Sequence, residues 1–140
     1  MDADALARAA ADHLRAHEGS SQWLAIALEE VREGYARIHM IARADMLNGH
    51  GVVHGGMIFT LADTAFAYAC NSRNVSTMAN QASIVFLSPG RDGERLTAEA
   101  RELSLAGRSG VYQVRVSGED GRDIALFQGL SRSVGGPVIN

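Results

Sequence analysis

Residues 46–72 read MLNGHGVVHGGMIFTLADTAFAYACNS, and the reading of this stretch decides the expected fold. Its first third is a loop carrying Asn48, His50 and His54, closed by Gly55 and Gly56. With Gly49 and Gly51 added, the glycines disfavour a helix before residue 56. From Met57 to Asn71 there is neither Gly nor Pro. On a 3.6-residue helical turn, Met57, Ile58, Leu61, Ala62, Ala65, Phe66 and Ala69 share one arc, with Thr60, Asp63, Ala67 and Asn71 opposite. A surface helix would carry several Lys, Glu or Arg on that second face. Asp63 is the helix's single charged residue, so both faces are predicted to be covered.

The flanking sequence reads as scaffold for this helix. Residues 1–19 hold Leu6, Ala10 and Leu14 at four-residue spacing, a short amphipathic helix broken by Gly19-Ser20-Ser21. Trp23 to Glu30 and Tyr35 to Arg43 read as strands joined by a hairpin at Glu33-Gly34. After Ser72 come four more strands: Val75 to Leu87, Leu96 to Leu105, Val111 to Ser117 and Ile124 to Arg132. Ser88-Pro89-Gly90, Gly107-Arg108-Ser109-Gly110 and Glu119-Asp120-Gly121 separate them, and residues 135–140 form a loose tail. In Leu96 to Leu105, Glu99, Arg101, Leu103 and Leu105 alternate against Ala98, Ala100 and Glu102. Short turns between consecutive strands imply an antiparallel sheet. One such sheet and one very apolar helix give the α+β class, the sheet curled around the helix in a single domain over residues 1–140.

Composition narrows the function. A net charge of −3 gives no basic field, so nucleic acid is not an expected partner. The longest apolar run, 57–70, falls short of the ~18 residues of a membrane span, so no membrane partner is expected. The N-terminus lacks the basic and apolar regions of a secretory signal, and Cys70 is the only cysteine. A cytoplasmic setting without disulfides is expected.

Three features of the central stretch point to chemistry. A carboxylate in an apolar helix is costly to ionise without a partner, so Asp63 should have a raised pKa or a hydrogen-bonded neighbour, either of which suits a general base or nucleophile. The Gly55-Gly56 helix start gathers free N–H groups and the positive end of the helix dipole, and its glycines let a ligand approach. That combination suits a carbonyl oxygen gaining charge. His50 and His54 sit in a loop that glycines keep from being helical, so a metal site is not expected. No G-x-S-x-G is present, and Cys70 reads as packing. Gly55 and Asp63 are eight residues apart, roughly 12 Å along a helix. Both must come within ~3 Å of the reacting atoms to act on one carbonyl. If both act, Gly55 of one subunit faces Asp63 of another, at a symmetric dimer interface.

LNGHGVVHGGMIFTLADTAFAYACNS, with IVFLSPGRDGERLTAEA downstream, resembles the hotdog-fold acyl-CoA thioesterases of the phenylacetic acid degradation (PaaI-type) branch, over about residues 20–134. The resemblance implies a hotdog fold, dimers paired into a homotetramer, and an acyl-CoA substrate with no separate cofactor, coenzyme A being part of the substrate. It places the catalytic carboxylate on Asp63. It implies that the Gly55 amide polarises the thioester carbonyl with help from His54, and that Asn48 binds near the thioester or the attacking water. Substrate and coenzyme A contacts are implied around Val53, Gly56 and Thr64, along Asn80, Gln81, Ala82 and Ser83, and at the Arg108-Ser109 turn. The activity implied is hydrolysis of an aryl-acetyl-CoA such as phenylacetyl-CoA or hydroxyphenylacetyl-CoA. A hotdog hydroxyacyl-thioester dehydratase and a non-catalytic acyl-CoA-binding protein are the alternatives. The dehydratase histidine lies in a Pro-containing loop, which this chain lacks.

Overall fold

The computed structural model describes residues 1–140. In chain order the elements are α1 (Ala3–Ala16), α2 (Gly19–Trp23), β1 (Ala27–Arg32), β2 (Tyr35–Ile41), a 3-10 turn at Ala44–Met46, α3 (Gly55–Cys70), β3 (Thr77–Phe86), β4 (Arg95–Ala106), β5 (Ser109–Ser117) and β6 (Asp123–Ser133). The strands form one antiparallel sheet in the order β1-β2-β4-β5-β6-β3. The sheet curves around α3, giving the α+β hotdog arrangement that the resemblance implies. No helix is long and apolar enough to cross a membrane.

Small residues on the concave face bring the sheet close to α3. Ala36, Ala98 and Ala100 are fully buried there beside Ile38, Met40, Leu96, Val114 and Val116. Phe66 is the central knob, its ring centroid 5.5 Å from that of Tyr112 and 5.7 Å from that of Phe127. Burying Phe66 or Leu61 contributes roughly 1.5–3 kcal/mol each. Gly129 of β6 passes directly over Phe66: a Cβ there would lie 2.7 Å from the ring. The buried set on α3 is wider than the predicted arc, since Thr64, Tyr68 and Cys70, and Asn71 just beyond it, are also buried. Asn71 tolerates burial because its side chain caps the helix: Nδ2 donates to the Ala67 and Thr77 carbonyls, and Oδ1 accepts the Thr77 N–H.

Several local expectations are corrected. Gly19-Ser20-Ser21 does not end helical structure but opens α2, and the strand expected from Trp23 begins at Ala27. Ala25 at φ 53° turns the chain between them, while Leu24 and Ile26 are buried. The second strand ends at Ile41 rather than Arg43, and α3 begins at Gly55. A register shift between Glu102 and Ser104 breaks the predicted alternation late in β4, and Leu103 and Leu105 are exposed. The 135–140 segment has no helix or strand, yet Asn74 holds it: Oδ1 accepts the Val138 and Ile139 N–H groups and Nδ2 donates to the Ile139 carbonyl.

β3 is an open edge. It pairs with β6 on one side only, and seven of its ten residues are exposed, which leaves ten residues of backbone without a partner on the other side. Ala82 and Ile84 are its residues packed against the core.

Candidate active site

The loop before α3 is shaped by one side chain. Asn48 Oδ1 accepts the N–H groups of His50 (2.9 Å) and Val52 (3.3 Å), an Asx-type turn that lets Leu47 bridge back to Val53. Its Nδ2 makes no hydrogen bond within the chain. Val53 is buried, and its N–H donates to the Gly90 carbonyl.

His54 is the N-cap of α3. Its Nδ1 accepts the Gly56 N–H at 2.8 Å, and its carbonyl accepts from Met57 and Ile58. An Nδ1 that accepts is unprotonated, so the neutral ring carries its proton on Nε2. The expected pair of free amides is thereby reduced to one. Gly56 is consumed by the cap, and the Gly55 N–H has no partner in the chain. Gly55 also lies under Phe86, where a Cβ would stand 2.9 Å from Cζ. Asn48, Val53, Gly55, Ile58, Phe86 and Leu87 line one cleft of about 370 Å³. The histidine itself is exposed beside it, as is His50.

Asp63 lies on a different cleft, of about 320 Å³, with Leu14, Glu18, Phe66, Met78 and Ala79. Burial raises its carboxyl pKa above the ordinary value, and the nearby Glu18 charge raises it further. It has no hydrogen-bonding or ion-pair partner in the chain. Thr64 beside it is buried, its hydroxyl donating to the Thr60 carbonyl at 2.7 Å. Burial, with a contribution from Asp63, pushes the Cys70 thiol up to about 12, so it stays protonated and inert near neutral pH.

The remaining expected residues lie elsewhere on one chain. Asn80, Gln81 and Ser83 are exposed on β3 and Ala82 faces the core, with the strand's register shifting across Asn80. Arg108 and Ser109 line a third cleft of about 200 Å³ with Cys70, Arg73 and Tyr112. Asn48, Val53 and Gly55 are therefore brought together, while Asp63, Ser83 and Arg108 are each set apart. Glu18 was not among the expected residues. A polar residue at the end of an amphipathic helix carries no signal of what it will face.

The two principal clefts share one relation. Both border β3, at opposite ends: the Gly55 cleft takes Phe86 and Leu87, and the Asp63 cleft takes Met78 and Ala79.

Known proteins share this architecture. The family model of the thioesterase superfamily matches residues 50–125. The acyl-coenzyme A thioesterase PaaI of Escherichia coli is 40% identical over 122 residues, 87% of each chain. The solved E. coli PaaI protein from the phenylacetic acid degradation operon superposes with a TM-score of 0.95 at 38% identity, covering 97% of this chain and 99% of that one. A variant of the phenylacetic acid degradation protein PaaI from Thermus thermophilus gives 0.80 at 33% identity, covering 84% of this chain and 100% of its own.

Proposed function

The chain belongs to the thioesterase superfamily as a PaaI-like acyl-CoA thioesterase, and from that premise we propose that it hydrolyses an aryl-acetyl-CoA, phenylacetyl-CoA or hydroxyphenylacetyl-CoA, at sites shared between two copies. The placement of the two clefts at opposite ends of β3 carries this reading. Two β3 strands paired antiparallel set the Phe86 end of one beside the Met78 end of the other. The Gly55 cleft of one copy then adjoins the Asp63 cleft of the second. The long open edge of β3 supplies the unpaired backbone for such pairing. Such dimers would pair again into a tetramer, working in the cytoplasm.

In this arrangement the thioester carbonyl oxygen accepts the free Gly55 N–H at the positive end of α3, where charge develops as the carbonyl is attacked. His54 supports the donor indirectly, by capping Gly56 and fixing the first turn. Asn48 offers its unpartnered Nδ2 to the thioester or the water. Asp63 of the second copy takes the proton of the attacking water, or attacks the carbonyl itself to form an anhydride that water opens. In either route the C–S bond breaks, coenzyme A leaves as the thiolate and is protonated, and the acid is released. Val53, Gly56, Thr64 and the 80–83 segment would border the bound acyl-pantetheine arm, and Arg108-Ser109 its phosphates.

Steady-state hydrolysis of an acyl-CoA panel, read by free-thiol release, tests the assignment. Asp63→Asn should lose about a hundred- to ten-thousandfold in kcat with the assembly intact. Near-parental turnover in that variant overturns it. Single turnover in oxygen-18 water separates the routes: label in the Asp63 carboxylate marks the anhydride. Hydration of an enoyl-CoA, or indefinitely intact bound acyl-CoA, would favour the dehydratase or binding-protein alternative.

A further inference from the structure

The Asp63 cleft contains a second carboxylate supplied from outside the helix. Glu18 stands between α1 and α2, 45 residues away in sequence, and shares the cleft wall with Asp63. It is held in place: Oε1 accepts the Tyr68 hydroxyl at 2.5 Å and the Ser21 hydroxyl at 3.2 Å. Tyr68 and Ser21 are both buried, so these bonds are sheltered from water. Oε2 makes no hydrogen bond within the chain. Two like charges in one partly buried cleft are unfavourable unless something else requires them.

We propose that Glu18 is a positioning residue for the hydrolysis: α1 and α2 lodge a fixed negative charge beside Asp63, and that charge makes Asp63 a better proton acceptor. The inference rests on the proposed role of Asp63. Besides Glu18, the ionisable groups that line this cleft or act on Tyr68 are Arg15, Tyr68 and Cys70, and His17 adjoins Glu18 with its Nδ1 on the His13 carbonyl. Arg15 lies on α1, with its Nη2 bound to the Ile26 carbonyl at 3.1 Å. Tyr68 and Cys70 lie on α3, and both titrate far above neutral pH because of burial. The β3 residues of the cleft, Thr77, Met78 and Ala79, are uncharged. In the proposed dimer His54 of the second copy is added. Among these, Glu18 is the one anion that acts on Asp63, and its contribution follows burial in raising that carboxyl. A base nearer in strength to neutral pH is the more effective proton acceptor.

The test is the pH profile of kcat/KM for Glu18→Gln on an aryl-acetyl-CoA. Glutamine keeps the acceptor for Tyr68 and Ser21 and removes only the charge. The acid limb should move to lower pH, with plateau kcat falling about three- to tenfold. KM should stay near the parental value. A merely structural Glu18 would leave the limb where it was. Tyr68→Phe keeps the charge but frees the carboxylate, and should move the limb the same way by less. If Glu18→Gln fails to fold, the Tyr68→Phe limb decides alone. Limbs superimposable on the parent's overturn the proposal. If Asp63→Asn retains full activity, the reading of Asp63 itself fails; if Asp63→Asn is inactive and the limbs are unmoved, only the role of Glu18 fails.

Discussion

The Nδ1 of His54 accepts the N–H of Gly56 at 2.8 Å, and this one bond decides which amide at the start of α3 remains free. Gly56 is occupied and Gly55 is not. The neighbouring backbone is suited to a direct test: His54 has φ −61° and ψ 136°, the conformation a residue before proline prefers, and Gly55 is the first helical residue, where proline is tolerated.

Gly55→Pro therefore removes the free N–H while respecting the helix start. Phe86 must be shortened to make room, because any Cβ at Gly55 meets its ring. In a Phe86→Leu background, Gly55→Ala keeps the donor and Gly55→Pro lacks it. The proline variant should lose about a hundred- to a thousandfold in kcat relative to the alanine variant. Equal turnover in the two would remove Gly55 from the chemistry.

Mixing defective chains tests whether the sites are shared. A dimer of one Asp63→Asn chain and one Gly55→Pro/Phe86→Leu chain has one site with both groups intact if each site draws on two copies. Co-refolding equal amounts should restore about a quarter of the parental activity, since half the dimers are mixed and each has one good site of two, built from the unaltered Gly55 and Phe86 of one chain and the Asp63 of the other. Sites contained within one chain would give no recovery.

Asp63 should cost stability in the ionised form. Its carboxyl pKa is raised in the folded state by burial and then by Glu18, so the native state holds the proton more tightly than the unfolded chain does. Stability from this group is present below the unfolded pKa, about 3.9, and is lost as pH rises through the folded value. The Tm of Asp63→Asn should exceed the parent's at pH 7, and the gap should narrow as pH falls toward about 4. A parent that is the more stable of the two at pH 7 contradicts this.

Gly129 is required by the ring beneath it. Gly129→Ala places a methyl group 2.7 Å from the Phe66 ring, and overpacking of this kind costs about 1–3 kcal/mol. The urea midpoint should fall accordingly, and Phe66→Leu in the same chain should recover part of the loss.

The central helix, the antiparallel order and the separation of Gly55 from Asp63 were legible because they follow from strong local signals. An apolar, almost uncharged helix after a glycine loop has few readings, and an eight-residue spacing fixes a length. Trp23 to Ile26 misled because a short apolar run does not distinguish strand from helix. There Ala25 turns with positive φ so that Leu24 and Ile26 both reach the core, a tertiary requirement without a local signature. The alternation of β4 beyond Glu102 was lost at a one-residue register shift that leaves no mark in the composition. Glu18 was invisible for the same kind of reason: its partners Tyr68 and Asp63 are distant in sequence.

The open edge of β3 also bears on how the protein is made. If β3 pairs with a second copy as proposed, each newly folded chain first offers ten residues of unpaired backbone next to exposed Met78, Val85 and Phe86. Any extended segment with the right side chains competes for that edge. In the proposed dimer, correct pairing would therefore be a race, and slow or dilute synthesis would lengthen the time each chain spends exposed to the wrong partner. Yield on overexpression should then be limited by how quickly chains find one another rather than by how well each one folds.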